Sequence, residues 1–234
     1  MDAGRVFVVL AVVFLIASIV LPWVRVDTEL LKAKITLQDA DRAYQVFREF
    51  YIETVCKKKS DIERTLCIMN VPSSSPFQKL IFFIGFMAFF TLLAVLDRVL
   101  AVFQGLFILL SSLTLYNRMP ELLAGSLAPI VRGFVNPELG FYAFAAAGLL
   151  ALVGGLLGWS IRPPKSKSSA FGTAMLVGFA VFFSAAITYI TVAVLLNLDF
   201  NIVLLGALIT ALIALIADYA YRASKIQKEE KVIY

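Results

Sequence analysis

Residues 79–116 read KLIFFIGFMAFFTLLAVLDRVLAVFQGLFILLSSLTLY, and this stretch decides the fold of the chain. After Lys79 the only charged residues in it are Asp97 and Arg98, near the middle. A single helix over the whole stretch would be far longer than the about 20 residues that cross a bilayer. The stretch therefore predicts two antiparallel transmembrane helices, 79–96 and 99–116, joined by a tight charged turn.

Four more apolar stretches suit membrane spans, which makes six in all. Of the 234 residues, 61% are hydrophobic and 16% are charged, against about 45–50% and about 25% in soluble domains. We therefore expect an all-α integral membrane protein, with about six transmembrane helices in a bundle embedded in a lipid bilayer. The first stretch exceeds the about 7–15 apolar residues of a signal peptide, so we interpret it as a retained helix. The four stretches are 6–24, 138–161, 170–196 and 201–221.

The positions of Lys and Arg in short loops predict the orientation of the helices. The linker before the fifth helix holds three basic residues and the C-terminal tail holds four, whereas the turn 197–200 holds none. With six spans, the two basic segments share one side. This predicts a multi-pass protein of the cell membrane with both termini cytoplasmic and residues 25–78 outside. Arg5, opposed by three basic residues just after the first helix, favours the reverse orientation more weakly.

This organisation divides the chain into six units. They are a first transmembrane helix, an extracytoplasmic insertion with a disulfide, helices two to four, a cytoplasmic linker, helices five and six, and a basic cytoplasmic tail, with bounds 1–24, 25–78, 79–162, 163–169, 170–221 and 222–234. Between the third and fourth helices, residues 117–135 are predicted to form an amphipathic segment at the membrane interface.

The polar insertion, residues 25–78, is the one segment with the character of a soluble domain. Residues 31–37 predict a short strand. Apolar residues then recur at helical spacing, with Asp39 or Asp41 as the N-cap. Residues 60–69 predict a second helix, since Ser-Asp-Ile-Glu at its start is typical of a capping box.

Cys56 and Cys67 are the only cysteines of the chain, and both lie in the polar insertion with ten residues between them. In an extracytoplasmic loop such a pair predicts a disulfide. Closing so short a loop stabilises the fold by about 2.5–3 kcal/mol in the chain-entropy model. Two unpaired thiols are the alternative, and the spacing does not match a redox Cys-x-x-Cys motif.

Residues that could carry catalysis are scarce. Histidine is absent from the sequence, and phosphate-binding, nucleophile and metal-ligand motifs are not found. Asp97 and Arg98 are expected to lie in a turn, and Asp218 to pair with Arg222 four residues on. We therefore expect no enzyme, with no catalytic residue, cofactor or metal, and no nucleic acid partner. Six polar residues within the spans are expected to form interhelical hydrogen bonds: Gln104, Ser111, Ser112, Ser184, Thr188 and Tyr189.

Small residues follow one face of two predicted helices, where they let a neighbouring helix approach closely. Packing inside the bundle is the favoured interpretation, and oligomerisation is the alternative. The residues are Ala143, Ala147, Ala151 and Gly155 in the fourth helix, and Gly206, Thr210 and Ala214 in the sixth.

The first four helices, with a cysteine pair in the first loop, resemble the claudin and peripheral-myelin-protein group. The second loop reads FVNPELGFY over residues 134–142, and small-residue runs AAAGLL at 145–150 and GGLLG at 154–158 follow it. This is similar to the asparagine-proline, glutamate-leucine-glycine and small-residue run of claudins. Pro22-Trp23 stands close to where claudins place a tryptophan.

The resemblance covers about residues 1–162. It implies a four-helix bundle and a role in cell-surface contact, barrier formation or regulation of a partner membrane protein. The chain departs from the family in three respects. The Gly-Leu-Trp motif is replaced by Phe50-Tyr-Ile-Glu-Thr-Val55 before the first cysteine, and two further helices follow residue 169. The insertion is predicted to be largely helical, whereas the claudin loop is rich in strands.

Together these features predict a non-catalytic membrane protein that mediates protein–protein interaction. It would act as a cell-surface scaffold or adhesion element, or as an accessory subunit, with a protein partner or a second copy of itself. The alternative is a small transporter or channel component. Against it, no span has a charged site or a Gly/Pro break at its middle.

Overall fold

The computed structural model describes residues 2–27, 32–71, 74–124, 135–158, 166–196 and 200–232. Six helices in this part of the chain are long and apolar enough to cross a membrane, which confirms the prediction of a mainly helical, multi-pass membrane protein. They are α1 (Ala3–Val20), α4 (Pro76–Leu93), α5 (Arg98–Ala124), α6 (Leu139–Leu157), α7 (Lys167–Leu196) and α8 (Phe200–Val232).

The polar insertion adds two more helices and most of a small sheet to the bundle. The helices are α2 (Leu37–Thr54) and α3 (Asp61–Asn70), with a 3₁₀ turn at Cys56–Lys58 between them. The strands are β1 (Pro22–Asp27), β2 (Lys32–Thr36) and β3 (Val135–Pro137).

Several predicted helix bounds are wrong, including the end of α6, which is Leu157 rather than residue 161. α1 ends at Val20 rather than at residue 24, because Pro22 lacks the N–H that a helix needs and the chain enters β1 there. α5 continues to Ala124, past the predicted end at 116, and so takes in the start of the segment expected at the interface. α8 runs to Val232, so the predicted tail continues the last helix.

Several predicted features lie partly outside the described residues. The rest of the interfacial segment, 125–134, is one, and residues 163–165 of the linker and 197–199 of the last turn are others. The turn after α4 is described and lies at residues 94–97, so α4 ends at Leu93 rather than at residue 96, and Arg98 is the first residue of α5 rather than part of the turn. Asp97 caps α5, since its Oδ1 accepts hydrogen bonds from the backbone N–H of Val99 at 2.8 Å and of Leu100 at 3.2 Å.

The strands form one antiparallel sheet in the order β2-β1-β3. Val24 is opposite Ile35 of β2 on one side and Pro137 of β3 on the other, and the register is irregular between Pro22 and Val24. The sheet therefore joins the polar insertion to the loop before α6. The sequence predicts β2 alone of the three strands.

Trp23 connects this sheet to the bundle. The side chain is 2% exposed, and its Nε1 donates a 2.6 Å hydrogen bond to the carbonyl oxygen of Ser18 at the end of α1. Its ring centroid lies 6.0 Å from that of Phe141 and 5.7 Å from that of Phe144, both in α6. A Cβ at Gly140 would lie 2.6 Å from the indole, so only glycine permits this approach.

Helices α1, α4, α5 and α6 pack as a four-helix bundle through close backbone approaches. A Cβ at Gly154 of α6 would lie 2.7 Å from the carbonyl oxygen of Gly4 in α1. A Cβ at Gly105 of α5 would lie 2.5 Å from the backbone nitrogen of Leu152 in α6. Helices α7 and α8 pack on each other and on α5. They are therefore part of the same packed bundle.

We expect Gly105→Ala to destabilise the protein by about 1–3 kcal/mol, because the added methyl group overpacks the contact between α5 and α6. Gly85→Ala is the matched control, since a Cβ at Gly85 in α4 meets nothing within 4 Å. The free energy of unfolding, measured on purified protein in detergent, should fall for the first variant only. Equal stabilities would contradict the close approach.

Candidate functional site

The polar insertion forms an ion-pair cluster with Glu138, the residue that precedes α6. The carboxylate Oε1 of Glu138 lies 3.7 Å from Arg25 Nη1 in β1 and 3.6 Å from Lys34 Nζ in β2. Its backbone N–H donates a 2.9 Å hydrogen bond to the carbonyl oxygen of Trp23. Glu138 thus connects β1 and β2 to the start of α6. Because α2 follows β2 directly, these contacts also position the start of α2.

Thr36 is the N-cap of α2, so the predicted N-cap at Asp39 or Asp41 is wrong. The hydroxyl of Thr36 accepts a 3.1 Å hydrogen bond from the Asp39 N–H, and the Asp39 carboxylate accepts from both the hydroxyl and the N–H of Thr36, at 2.7 and 3.3 Å. These hydrogen bonds hold the pKa of Asp39 below its usual value, and the bond from the Thr36 hydroxyl has the larger effect. Because the pKa of Asp39 is lower in the folded state than in the unfolded chain, its ionised carboxylate stabilises the fold. This stabilisation is fully present above the usual carboxyl pKa and is lost as the pH falls through the lowered pKa.

The first turns of α2 are attached to the bundle. Leu37 and Ala40 are buried. The hydroxyl of Ser75 hydrogen-bonds Asp41 Oδ1 and also accepts a 2.9 Å hydrogen bond from the Gln78 N–H, so it caps α4 at the same time. One end of α2 is therefore held against the start of α4.

Beyond this attachment α2 exposes its apolar side. Val46, Phe47, Phe50 and Tyr51, here called the apolar stripe, lie at i, i+1, i+4 and i+5 and so share one helix face. Their side chains are between 37% and 68% exposed. No described residue covers them, and they lie outside the six apolar spans. Exposed apolar clusters of this kind mark interaction surfaces.

Helix α3 is joined to the end of α2 by the cysteine pair. Cys56 is fully buried, and its sulfur lies at bonding distance from that of Cys67, with 5.6 Å between the Cα atoms. The predicted helix at 60–69 is confirmed. Its predicted capping box is not formed, because the Ser60 hydroxyl bonds the Glu63 carboxylate at 3.0 Å instead of the backbone. Three apolar side chains of α3 are also exposed, by 56% to 78%: Ile62, Leu66 and Met69.

We expect the thiols of Cys56 and Cys67 to react with a labelling reagent in the unfolded chain only after reduction. Replacing both cysteines by serine should lower the free energy of unfolding of the insertion by about 2.5–3 kcal/mol, because the unfolded loop is no longer closed. Mass spectrometry of the labelled chain measures the first result. Equal labelling with and without reduction would show unpaired thiols.

At the other end of the bundle, Arg222 of α8 lies between two carboxylates. Its Nε donates a 2.7 Å hydrogen bond to Asp218 Oδ2, and its Nη2 donates a hydrogen bond to Asp97 Oδ2. All three side chains are buried. The sequence predicted the pair of Arg222 with Asp218, and the further bond to Asp97 was missed. Nearby, the Arg98 guanidinium lies 3.8 Å from the ring centroid of Tyr221, a cation–π contact.

We expect Arg222→Met to destabilise the protein by about 3–5 kcal/mol, because it leaves two buried carboxylates without their cation. Lys225→Met, one turn further along α8, is the control and should have little effect. Chemical unfolding in detergent measures both. Neutralising all three groups together (Asp97→Asn, Asp218→Asn and Arg222→Met) should recover part of the loss, and no recovery would contradict this explanation.

A second group of polar side chains lies between α5 and α7. The side-chain amide of Gln104 donates a 2.6 Å hydrogen bond to the Ser184 hydroxyl, as the sequence predicts for interhelical contacts. The Tyr189 hydroxyl lies 3.0 Å from that of Thr210 in α8. Gln104 Oε1 and Ser111 Oγ are buried, and neither forms a hydrogen bond with the described residues.

The small residues singled out from the sequence lie against other helices of the same chain. Ala143, Ala147, Ala151 and Gly155 of α6 are buried. A Cβ at Gly155 would lie 2.8 Å from the backbone nitrogen of Val102 in α5. In α8, Ala214 is buried, and Gly206 and Thr210 approach the ring of Tyr189 in α7.

Among the described residues, no group of three or more Cys, Asp or Glu side chains is placed to hold a metal ion. No family model, curated protein or solved structure matches this chain.

Proposed function

We propose that this chain is a non-catalytic multi-pass membrane protein that binds another protein through the apolar stripe of α2. The exposure of Phe47 and Phe50 carries the proposal, because large aromatic side chains dominate the energy of protein interfaces. The disulfide supports it by holding α3 beside the end of α2. Such a protein acts as a cell-surface scaffold or adhesion element, or as the accessory subunit of a membrane complex.

The proposal includes a location in the cell membrane, with the insertion outside and both termini in the cytoplasm. The sheet, α2 and α3 follow the end of α1 and precede the starts of α4 and α6, so they share one end of the bundle. Arg98, Arg222 and Lys225 cluster around Tyr221 and the turn after α4, at the other end. Basic residues at that end support its cytoplasmic placement.

The resemblance to claudins belongs to the same proposal. The claudin loop is rich in strands, whereas α2 and α3 make the insertion of this chain largely helical. The point of likeness is the pairing of β1 with β3 from the loop before α6. The pairing supports a related arrangement of the first four helices. The local structure around the cysteines differs from a strand-rich loop, because Cys56 lies in a 3₁₀ turn and Cys67 lies in α3.

The experiment compares the proteins that co-purify with the full chain from native membranes after mild detergent extraction. Phe50→Ser should reduce the amount of bound partner about tenfold or more, because buried aromatic residues at an interface centre contribute about 2 kcal/mol or more. Glu49→Ser is the matched control, since Glu49 is the neighbouring exposed residue on the polar side of α2. Subunit stoichiometry by mass measurement is the readout.

Both variants should leave the melting temperature unchanged, because the side chains are exposed in the isolated chain. A single chain with no bound protein would contradict the proposal, as would equal binding by Phe50→Ser and wild type. A homo-oligomer lost in Phe50→Ser would assign the stripe to self-association.

The second candidate function is a small transporter or channel component. It is favoured by Gln104 Oε1 and Ser111 Oγ, since buried polar atoms without a partner are typical of positions that water or a solute visits. Flux of ions or solutes into liposomes that contain only the purified chain separates this candidate from the first.

A further inference from the structure

A groove of about 400 Å³ lies between α4, α5 and α7, at the end of the bundle that carries the polar insertion. This volume is within the about 300–1,000 Å³ range of small-molecule sites. Most of its lining is apolar and comes from all three helices: Phe77 and Leu80, Leu115 and Leu122, and Ile190 and Val194.

Three charged side chains complete the lining: Lys79, Arg118 and Glu121. Arg118 pairs with Glu121 on the same helix. Lys79 is exposed and forms no ion pair with any described residue. The lining therefore carries a net charge of +1, from two cations and one carboxylate, beside an apolar surface.

The charged side chains lie near the ends of the membrane-spanning stretches, where lipid head groups are expected. Lys79 is in the first turn of α4, where its membrane-spanning stretch begins, and Arg118 lies one turn before the stretch of α5 ends at Leu122. The stretch of α7 ends at Val194, which also lines the groove. Cations at this depth meet phosphates, while the apolar residues below them meet acyl chains.

We propose that this groove binds one anionic phospholipid. Its phosphate lies near Lys79 and Arg118, and one acyl chain lies against the apolar lining. A net charge of −1 on the lipid matches the +1 of the groove. Free phosphate would make no use of the apolar lining, and a peptide would have to insert at the depth of the lipid head groups. The inference is independent of the α2 stripe.

The test is native mass spectrometry of the full chain, purified in detergent and mixed with equal amounts of phosphatidylglycerol and phosphatidylcholine. The wild type should retain one phosphatidylglycerol per chain in preference to phosphatidylcholine. Lys79→Gln should weaken this binding about fivefold, since one basic residue near the membrane surface is lost. Lys58→Gln is the matched control, because Lys58 is also exposed and lies outside the groove.

A second variant tests the apolar half of the groove. Val194→Trp should abolish retention of phosphatidylglycerol by filling the space, and its fold should persist because the Val194 side chain is 72% exposed. Phe50→Ser should bind the lipid as the wild type does, which separates this inference from the proposed function. Equal retention of both lipids, unaffected by Lys79→Gln, would overturn the proposal. Displacement of the lipid by inorganic phosphate, or occupation of the groove by a protein, would also overturn it.

Discussion

Trp23 joins the helical bundle to the polar insertion, and the arrangement of both depends on it. Its indole N–H satisfies a carbonyl at the end of α1, its ring packs against Phe141 and Phe144 of α6, and its own carbonyl accepts the N–H of Glu138. Since the Trp23 side chain is buried, moving it would leave its indole N–H and the Ser18 carbonyl unpaired in apolar surroundings, which is costly. One residue therefore sets how α1, the sheet and α6 meet.

The opposite end of the bundle depends on electrostatics. Arg222 bridges Asp97 and Asp218, and Asp97 also caps α5 through two backbone N–H groups. A buried charge is tolerated only when it is paired and hydrogen-bonded. The last helix is consequently held against the turn between α4 and α5, and α7 and α8 pack against α5.

Between these two constraints, the insertion leaves apolar surface uncovered. On the spans, exposed leucines and phenylalanines face lipid and need no other partner. Phe47 and Phe50 lie on a helix outside the spans, attached at one end through Leu37 and Asp41. Exposure of aromatic side chains there is unfavourable in water, and this observation is the basis of the proposed protein partner.

The amino-acid sequence predicts what depends on local composition and length. Six long apolar stretches predict membrane helices, residues 31–37 predict a strand, and Asp97-Arg98 predicts a turn because charges are disfavoured in the middle of a span. Helix ends were less predictable. Pro22 ends α1 earlier than hydrophobicity indicates, since Val24 stays apolar whether it lies in a helix or in a strand.

Only the tertiary structure shows which distant residues meet. β3 has three residues, too few to show a period, and it is a strand because β1 supplies its partner. Asp97 and Arg222 are 125 positions apart, and no local pattern predicts that they pair. The exposure of the α2 stripe is equally invisible in the sequence, because the same amphipathic spacing would suit a helix that buries that face. Periodicity records which side chains share a face, and packing decides what, if anything, covers it.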